Sequence, residues 1–155
     1  MIADIDVRLA TLSDAAEIAA MSRDYIERGL PWTWTEDRVA HSIGEPETNV
    51  VVARERGALI GFGIMFHASD DAHLLLFAVR QAQRRHGIGS AILRWLEDSA
   101  RVAGANRIRV ECTRENVAAR NFYCEHGYHE LQIKKKMYRG IKDGVHLEKW
   151  LRDNA

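Results

Sequence analysis

The chain has 155 residues, enough for one domain with a full hydrophobic core. Lys plus Arg and Asp plus Glu number 22 each, so no net field draws it toward nucleic acid or an anionic membrane. Cys112 and Cys124 form neither a metal-spaced set nor a disulfide framework and read as reduced, mostly buried thiols. The acidic start Met1 to Asp6 lacks a signal-peptide core and no apolar run reaches membrane-spanning length, so the expectation is a single cytoplasmic domain over residues 1–155.

In chain order, Ile5, Val7 and Leu9 alternate with polar residues and predict a first strand. Thr11 to Asp14 offers helix caps, and Ile18, Met21, Tyr25 and Ile26 follow at helical spacing until Gly29 and Pro31. Trp32 to Thr35 is a short aromatic loop, and Thr35 with Glu36 and Asp37 can start a second short helix ending near Gly44. Asn49 to Arg54 and Leu59 to His67 predict a hairpin turning at Glu55-Arg56-Gly57. His73 to Val79 is the next strand. A helix from Gly89 should place Ile92, Leu93, Leu96 and Val102 inward and stop at Gly104. Arg107 to Thr113 alternates again, with Glu111 on the face opposite Val110 and Cys112. Asn116 can cap a helix that Gly127 ends, and Tyr128 to Tyr138 and Val145 to Trp150 are the last strands. The order β-α-α-β-β-β-α-β-α-β-β predicts an α+β fold, a mixed sheet covered by helices.

The stretch Gln83-Arg84-Arg85-His86-Gly87-Ile88-Gly89-Ser90-Ala91 lies between a strand and a helix start. Free N–H groups of the first helical turn, the helix dipole and arginines at the rim make this an anion site suited to a phosphate-bearing cofactor. No P-loop run is present. A dinucleotide fingerprint fits less well, since Ile92 stands where its third glycine belongs; Glu111 could mimic its ribose-binding acid, which leaves an NAD-binding oxidoreductase domain as an alternative.

The pattern set by Arg84, Gly87 and Gly89 resembles the acetyl-coenzyme A loop of the GNAT superfamily of N-acetyltransferases. Asn116-Val117-Ala118-Ala119-Arg120-Asn121-Phe122-Tyr123, followed by Gly127-Tyr128, resembles a second segment of that superfamily in the same order and spacing. The resemblance implies a mostly antiparallel sheet with helices on both faces and two splayed strands. It implies that the backbone of Phe77, Ala78 and Val79 pairs with the pantetheine arm, and that Arg84, Arg85, His86, Gly87, Ile88, Gly89 and Ser90 hold the pyrophosphate. Asn116 and Tyr123 would lie near that arm, with Tyr123 the acid for the departing thiolate. Glu111, Asn116 and Tyr123 keep the spacing of bacterial ribosomal-protein alanine N-acetyltransferases, which makes Glu111 the candidate base. Pro31-Trp32 and Tyr138 with Asp143 are similar to other segments of that subgroup. The chain departs from the subgroup at Arg114, Met137, Gly144 and Gln81.

The implied activity is acetyl transfer from acetyl-coenzyme A to a primary amine, by direct attack in a ternary complex. The acceptor is a protein N-terminus or a small-molecule amine. Trp32, Trp34, Glu111 and Tyr138 are the acceptor-side candidates, and His67 and His73 are alternative bases. A non-catalytic acyl-coenzyme A sensor would use the same loop. Lys134-Lys135-Lys136 reads as a solvated strand edge rather than a nucleic-acid patch, and no metal site is expected. Exposed late strands leave a homodimer open.

Overall fold

The computed structural model describes residues 5–80, 87–138 and 140–152. Seven strands form one sheet in the order β1-β2-β3-β4-β5-β7-β6: β1 Ile5–Leu9, β2 Thr48–Glu55, β3 Ala58–His67, β4 Asp71–Val79, β5 Arg107–Thr113, β6 His129–Tyr138 and β7 Lys142–Trp150. All pairs are antiparallel except β4 with β5. Four helices cover it: α1 Ala15–Met21, α2 Glu36–Gly44, α3 Ile88–Val102 and α4 Val117–Glu125. The element order is the one expected.

Two cores lie on opposite faces. Ile18, Trp34 and Val39 pack over Val50, Val52, Phe62 and Ile64 on one face. Ile88, Ile92, Leu93 and Leu96 pack over Val51, Met65, Leu74, Ile108, Val110 and Leu147 on the other. Val102 does not join them. It is 90% exposed, because 3.6-residue periodicity carries the buried stripe from Leu96 to Ala100. Buried Glu97 accepts from the Tyr128 hydroxyl at 2.8 Å and from Lys149 at 3.1 Å, which satisfies a carboxylate on an otherwise apolar helix face.

Three local features differ from the sequence reading and all shape the site. The first helix does not run on to Ile26; it ends at Met21 and widens into a π-helical turn, Ser22–Ile26. The hairpin turns on Arg56 and Gly57 alone, both at positive φ, as a tight two-residue turn requires. The third is in β4, where Ile64 pairs with Leu76 and Met65 with Leu74, so Leu75 is an extra residue. This β-bulge switches the strand's faces: Ala72 and Leu74 point to the α3 side, while Leu76 and Ala78 point to the α1 side.

The bulge coincides with a parting of strands. β4 pairs with β5 only from Asp71–Arg107 to Leu74–Val110. Beyond Leu74, β4 continues with β3, and β5 continues with β7 as far as Thr113–Gly144. The sheet opens between Leu75–Val79 and Glu111–Thr113. The edge strand β6 loses register between Lys134 and Tyr138, where Lys136 has φ 51°, and this interruption blunts the exposed lysine edge.

Candidate active site

A cavity of about 580 Å³ occupies this opening and joins the two faces of the sheet. Its walls are Leu74 to Val79 of β4, Val110 to Thr113 of β5, the N-terminus of α3, one face of α4, Tyr138, and Tyr25 to Glu27 with Leu30, Pro31, Thr33 and Trp34. The π turn presents Tyr25 and Ile26 to it, a placement often found for π turns at functional sites.

At the α3 end, Gly87 caps the helix in the left-handed conformation, φ 80°, which a side chain would strain. Gly89 is needed for a different reason than anion approach alone. A Cβ there would sit 3.1 Å from the Phe122 ring, so its absence lets α4 close against α3. Phe122 in turn stacks on Phe77 with ring centroids 5.2 Å apart, and Tyr123 meets both rings. Gly87, Gly89 and Ser90 line the cavity, and buried Ile88 anchors the first turn in the core. The Ser90 hydroxyl lies 2.7 Å from His126 Nε2, while His126 Nδ1 lies 2.8 Å from the Phe122 carbonyl. The carbonyl only accepts, so Nδ1 carries the proton and, in the neutral ring, Ser90 donates to Nε2. His126 was not singled out from sequence. Arg84, Arg85, His86 and Gln81 lie outside the described residues.

At the junction of the two faces, Tyr123 is 4% exposed and lines the cavity beside Cys112 and Tyr138. Burial pushes its phenol well above the ordinary tyrosine value. Burial likewise raises Tyr138, and raises the Cys112 thiol to about 11. Asn116 caps α4 as expected, its Oδ1 accepting from Ala119 N at 3.1 Å, and also lines the cavity.

Glu111 faces the cavity from β5. Its Oε2 lies 2.5 Å from His73 Nε2 on β4, and its Oε1 lies 3.2 Å from His146 Nδ1 on β7. Burial alone would raise its carboxyl; the hydrogen bond from His73 and the charges of His73, His146 and Lys134 outweigh burial and hold it below the ordinary value. His146 escaped the sequence reading because a histidine between Val145 and Leu147 looks like strand filler until β5 and β7 are paired. Glu27 escaped too. It is 7% exposed and accepts from Thr33 N, Thr33 Oγ1, Trp34 N and Ser22 Oγ, which fixes the Thr33–Trp34 loop against the π turn.

The remaining candidates are dispersed. Trp34 is buried in the cavity wall under the Arg38 guanidinium, 3.8 Å from its ring centroid. Trp32 is 42% exposed and outside the wall. His67 is away from the cavity and donates its Nε2–H to Asn49 Oδ1 at 2.6 Å; burial lowers its pKa. Cys124 is exposed, not buried as expected. Among the described residues no group of His, Cys, Asp and Glu could hold a metal, and no helix is long and apolar enough to cross a membrane.

The model of the acetyltransferase (GNAT) family matches residues 16–128, both glycine-loop and helix-α4 segments included. The chain belongs to that family. The glycine loop thus lies inside a match to an acetyltransferase family, not to a dinucleotide-binding one. Among relatives, an uncharacterized N-acetyltransferase of Methanocaldococcus jannaschii is 32% identical over 61% of this chain and 61% of its own length. An aminoalkylphosphonate N-acetyltransferase of Salmonella typhimurium is 25% identical over 79% of this chain and 84% of its own. A Bacillus subtilis protein named for ribosomal protein bS18-alanine N-acetylation is 26% identical over 86% and 84%. Among solved structures, Ard1 from Thermoplasma volcanium superposes with a TM-score of 0.84 at 20% identity, covering 97% and 99% of the two chains. The ribosomal-protein-S18-alanine N-acetyltransferase from Escherichia coli gives 0.79 at 22%, covering 97% and 96%. The PaiA N-acetyltransferase from Thermoplasma acidophilum, solved with coenzyme A, gives 0.77 at 18%, covering 94% and 98%. These superpositions establish the fold.

Proposed function

We propose that this GNAT protein transfers the acetyl group of acetyl-coenzyme A to a primary amine by direct attack, with Glu111 as base and Tyr123 as hydrogen-bond donor to the departing sulfur. The observation that carries this reading is the splay: one opening in the sheet receives an anion-binding helix start from one side and Glu111 from the other. Acetyl-coenzyme A supplies the activated thioester. Gly87, Gly89 and Ser90 bind its phosphates, and the backbone from Phe77 to Val79 carries the pantetheine arm and the N–H for the oxyanion.

Glu111 faces the incoming amine. A carboxylate has about four lone-pair sites, and the two histidines use two. Glu27 also lines this end, but its four donors leave nothing to offer an acceptor. Tyr123 keeps its proton at every working pH, so it acts by donating a hydrogen bond as negative charge builds on sulfur. A thiolate of ordinary basicity, near 8.5, draws that proton across only if the same dry surroundings raise it too.

The acceptor end is aromatic and apolar, with Tyr25, Leu30, Pro31, Trp34 and Tyr138 around the Glu111 carboxylate. This wall suits an amine on a small or apolar body, such as a protein N-terminus beginning with alanine. A small-molecule amine bearing an anion finds no Lys or Arg among the described lining residues. The test is thiol release from acetyl-coenzyme A with peptides starting in Ala, Ser or Glu, and with aminoalkylphosphonates and polyamines. Preference for the Ala peptide supports the reading. Preference for the phosphonate overturns the acceptor, and cofactor binding with no turnover on any amine would make the protein a sensor.

A further inference from the structure

The acceptor-side carboxylate is gripped from two strands, and one of those grips has no counterpart in the sequence motifs. Glu111 and His146 are cross-strand partners in the β5–β7 ladder, with Oε1 3.2 Å from Nδ1, and His146 is 7% exposed. Across the other side of β5, His73 holds Oε2 at 2.5 Å. We propose that His146 is a positioning residue for Glu111, and that His73, Glu111 and His146 form one unit that works only when it carries net negative charge. This rests on the reading of Glu111 as the base.

The geometry gives His146 this role and no closer one. Glu111 lines the cavity; His146 and His73 stand behind it and do not. A carboxylate anchored at both oxygens cannot rotate about its last torsion, so its two unused lone-pair sites keep one direction. A misplacement of about 1 Å at such a group costs on the order of 100-fold in rate.

The charge follows from the hydrogen bonds. Ionised Glu111 only accepts, so His73 presents Nε2–H and His146 presents Nδ1–H to it. With both rings neutral the unit carries one negative charge; one added proton cancels it and a second reverses it. An α-amino acceptor with a pKa near 8 arrives mostly as ammonium at neutral pH and requires a negative partner. Charged groups of both signs surround the unit: Lys134 on β6 acts on Glu111, while Arg109 on β5 lies between Asp71 of β4, 3.8 Å away, and its β7 partner Glu148. Tyr138 and Cys112, also beside it, stay uncharged because burial raises both. Protonating either ring therefore removes the negative charge that the ammonium needs.

Two measurements test this. Imidazole C–H shifts followed by NMR against pH, in wild type and Glu111→Gln, read the coupling without any assay of turnover. Removing the carboxylate should move the imidazole C–H resonances of both His73 and His146; His146 resonances that stay unchanged overturn the proposal. In steady-state kinetics with the amine chosen by the acceptor panel, His146→Leu should lower kcat by roughly 10- to 100-fold with KM for acetyl-coenzyme A unchanged. His146→Asn, which retains an N–H donor but cannot take a proton, should recover most of kcat and extend activity to lower pH. Wild-type kcat and pH profile in both variants overturn the proposal. Should the wild type acetylate no amine, the base assignment falls, while the NMR curves still decide whether the unit exists.

Discussion

The Tyr123 hydroxyl is placed by packing, since its ring is wedged between Phe77, Phe122 and Tyr128 at centroid distances of 5.6–6.1 Å. Tyr123→Phe keeps that wedge and removes only the donor. Turnover should drop by roughly 100-fold while acetyl-coenzyme A affinity, read by calorimetry, stays the same. The two cysteines differ as sharply. Cys112 is half-buried with its thiol pushed to about 11, whereas Cys124 is exposed on α4. Brief iodoacetamide treatment at pH 8 followed by peptide mass spectrometry should find Cys124 alkylated and Cys112 intact.

At the scale of elements, the glycine loop and the α4 segment were legible in sequence because capping and left-handed turns are local chemistry. Asn116 caps α4, Gly87 takes φ 80° and Gly127 takes φ 90°, each readable from residue type and place. The Leu75 bulge was not legible. It exists only as a mismatch between β3 and β4, and an extra leucine in an apolar run leaves no mark on the pattern. The π turn after Met21 was hidden in the same way, because Tyr25 and Ile26 fit helical spacing until the turn widens. His146 became visible only once β7 was laid beside β5. The clearest test at this scale is Gly87→Ala. It forces a side chain into the left-handed region and should cost about 1–2 kcal/mol in urea unfolding, with weaker acetyl-coenzyme A binding.

For the molecule as a whole, the N-terminal strand and α1 are tied to the sheet through one buried acid. Asp14 is 2% exposed and accepts from Thr11 N at 2.7 Å, from Arg8 at 3.1 Å and from Arg54 at 2.7 Å. Burial alone would raise its carboxyl, but the Thr11 N–H and the two guanidiniums outweigh burial and bring it down to about 2. A folded-state value below the unfolded one means the stabilisation is complete above about pH 4 and is lost as pH falls toward 2. Its size is on the order of 2 kcal/mol. Asp14→Asn should lose about that much at pH 7 and show a flatter fall in stability between pH 4 and 2, measured by urea unfolding at each pH. This tie also steadies the helix that leads into the π turn and the cavity wall.

The fold, the splay and the chemistry meet in one assay. Purified wild type, Tyr123→Phe and Glu111→Gln would be mixed with saturating acetyl-coenzyme A and an alanine-starting peptide, and free thiol followed in time. Wild type should release thiol steadily and each variant roughly 100-fold more slowly, with cofactor affinity unchanged in both. Equal rates in all three proteins would contradict the proposed mechanism, because acetyl transfer would then be running without the two groups that the open sheet brings together.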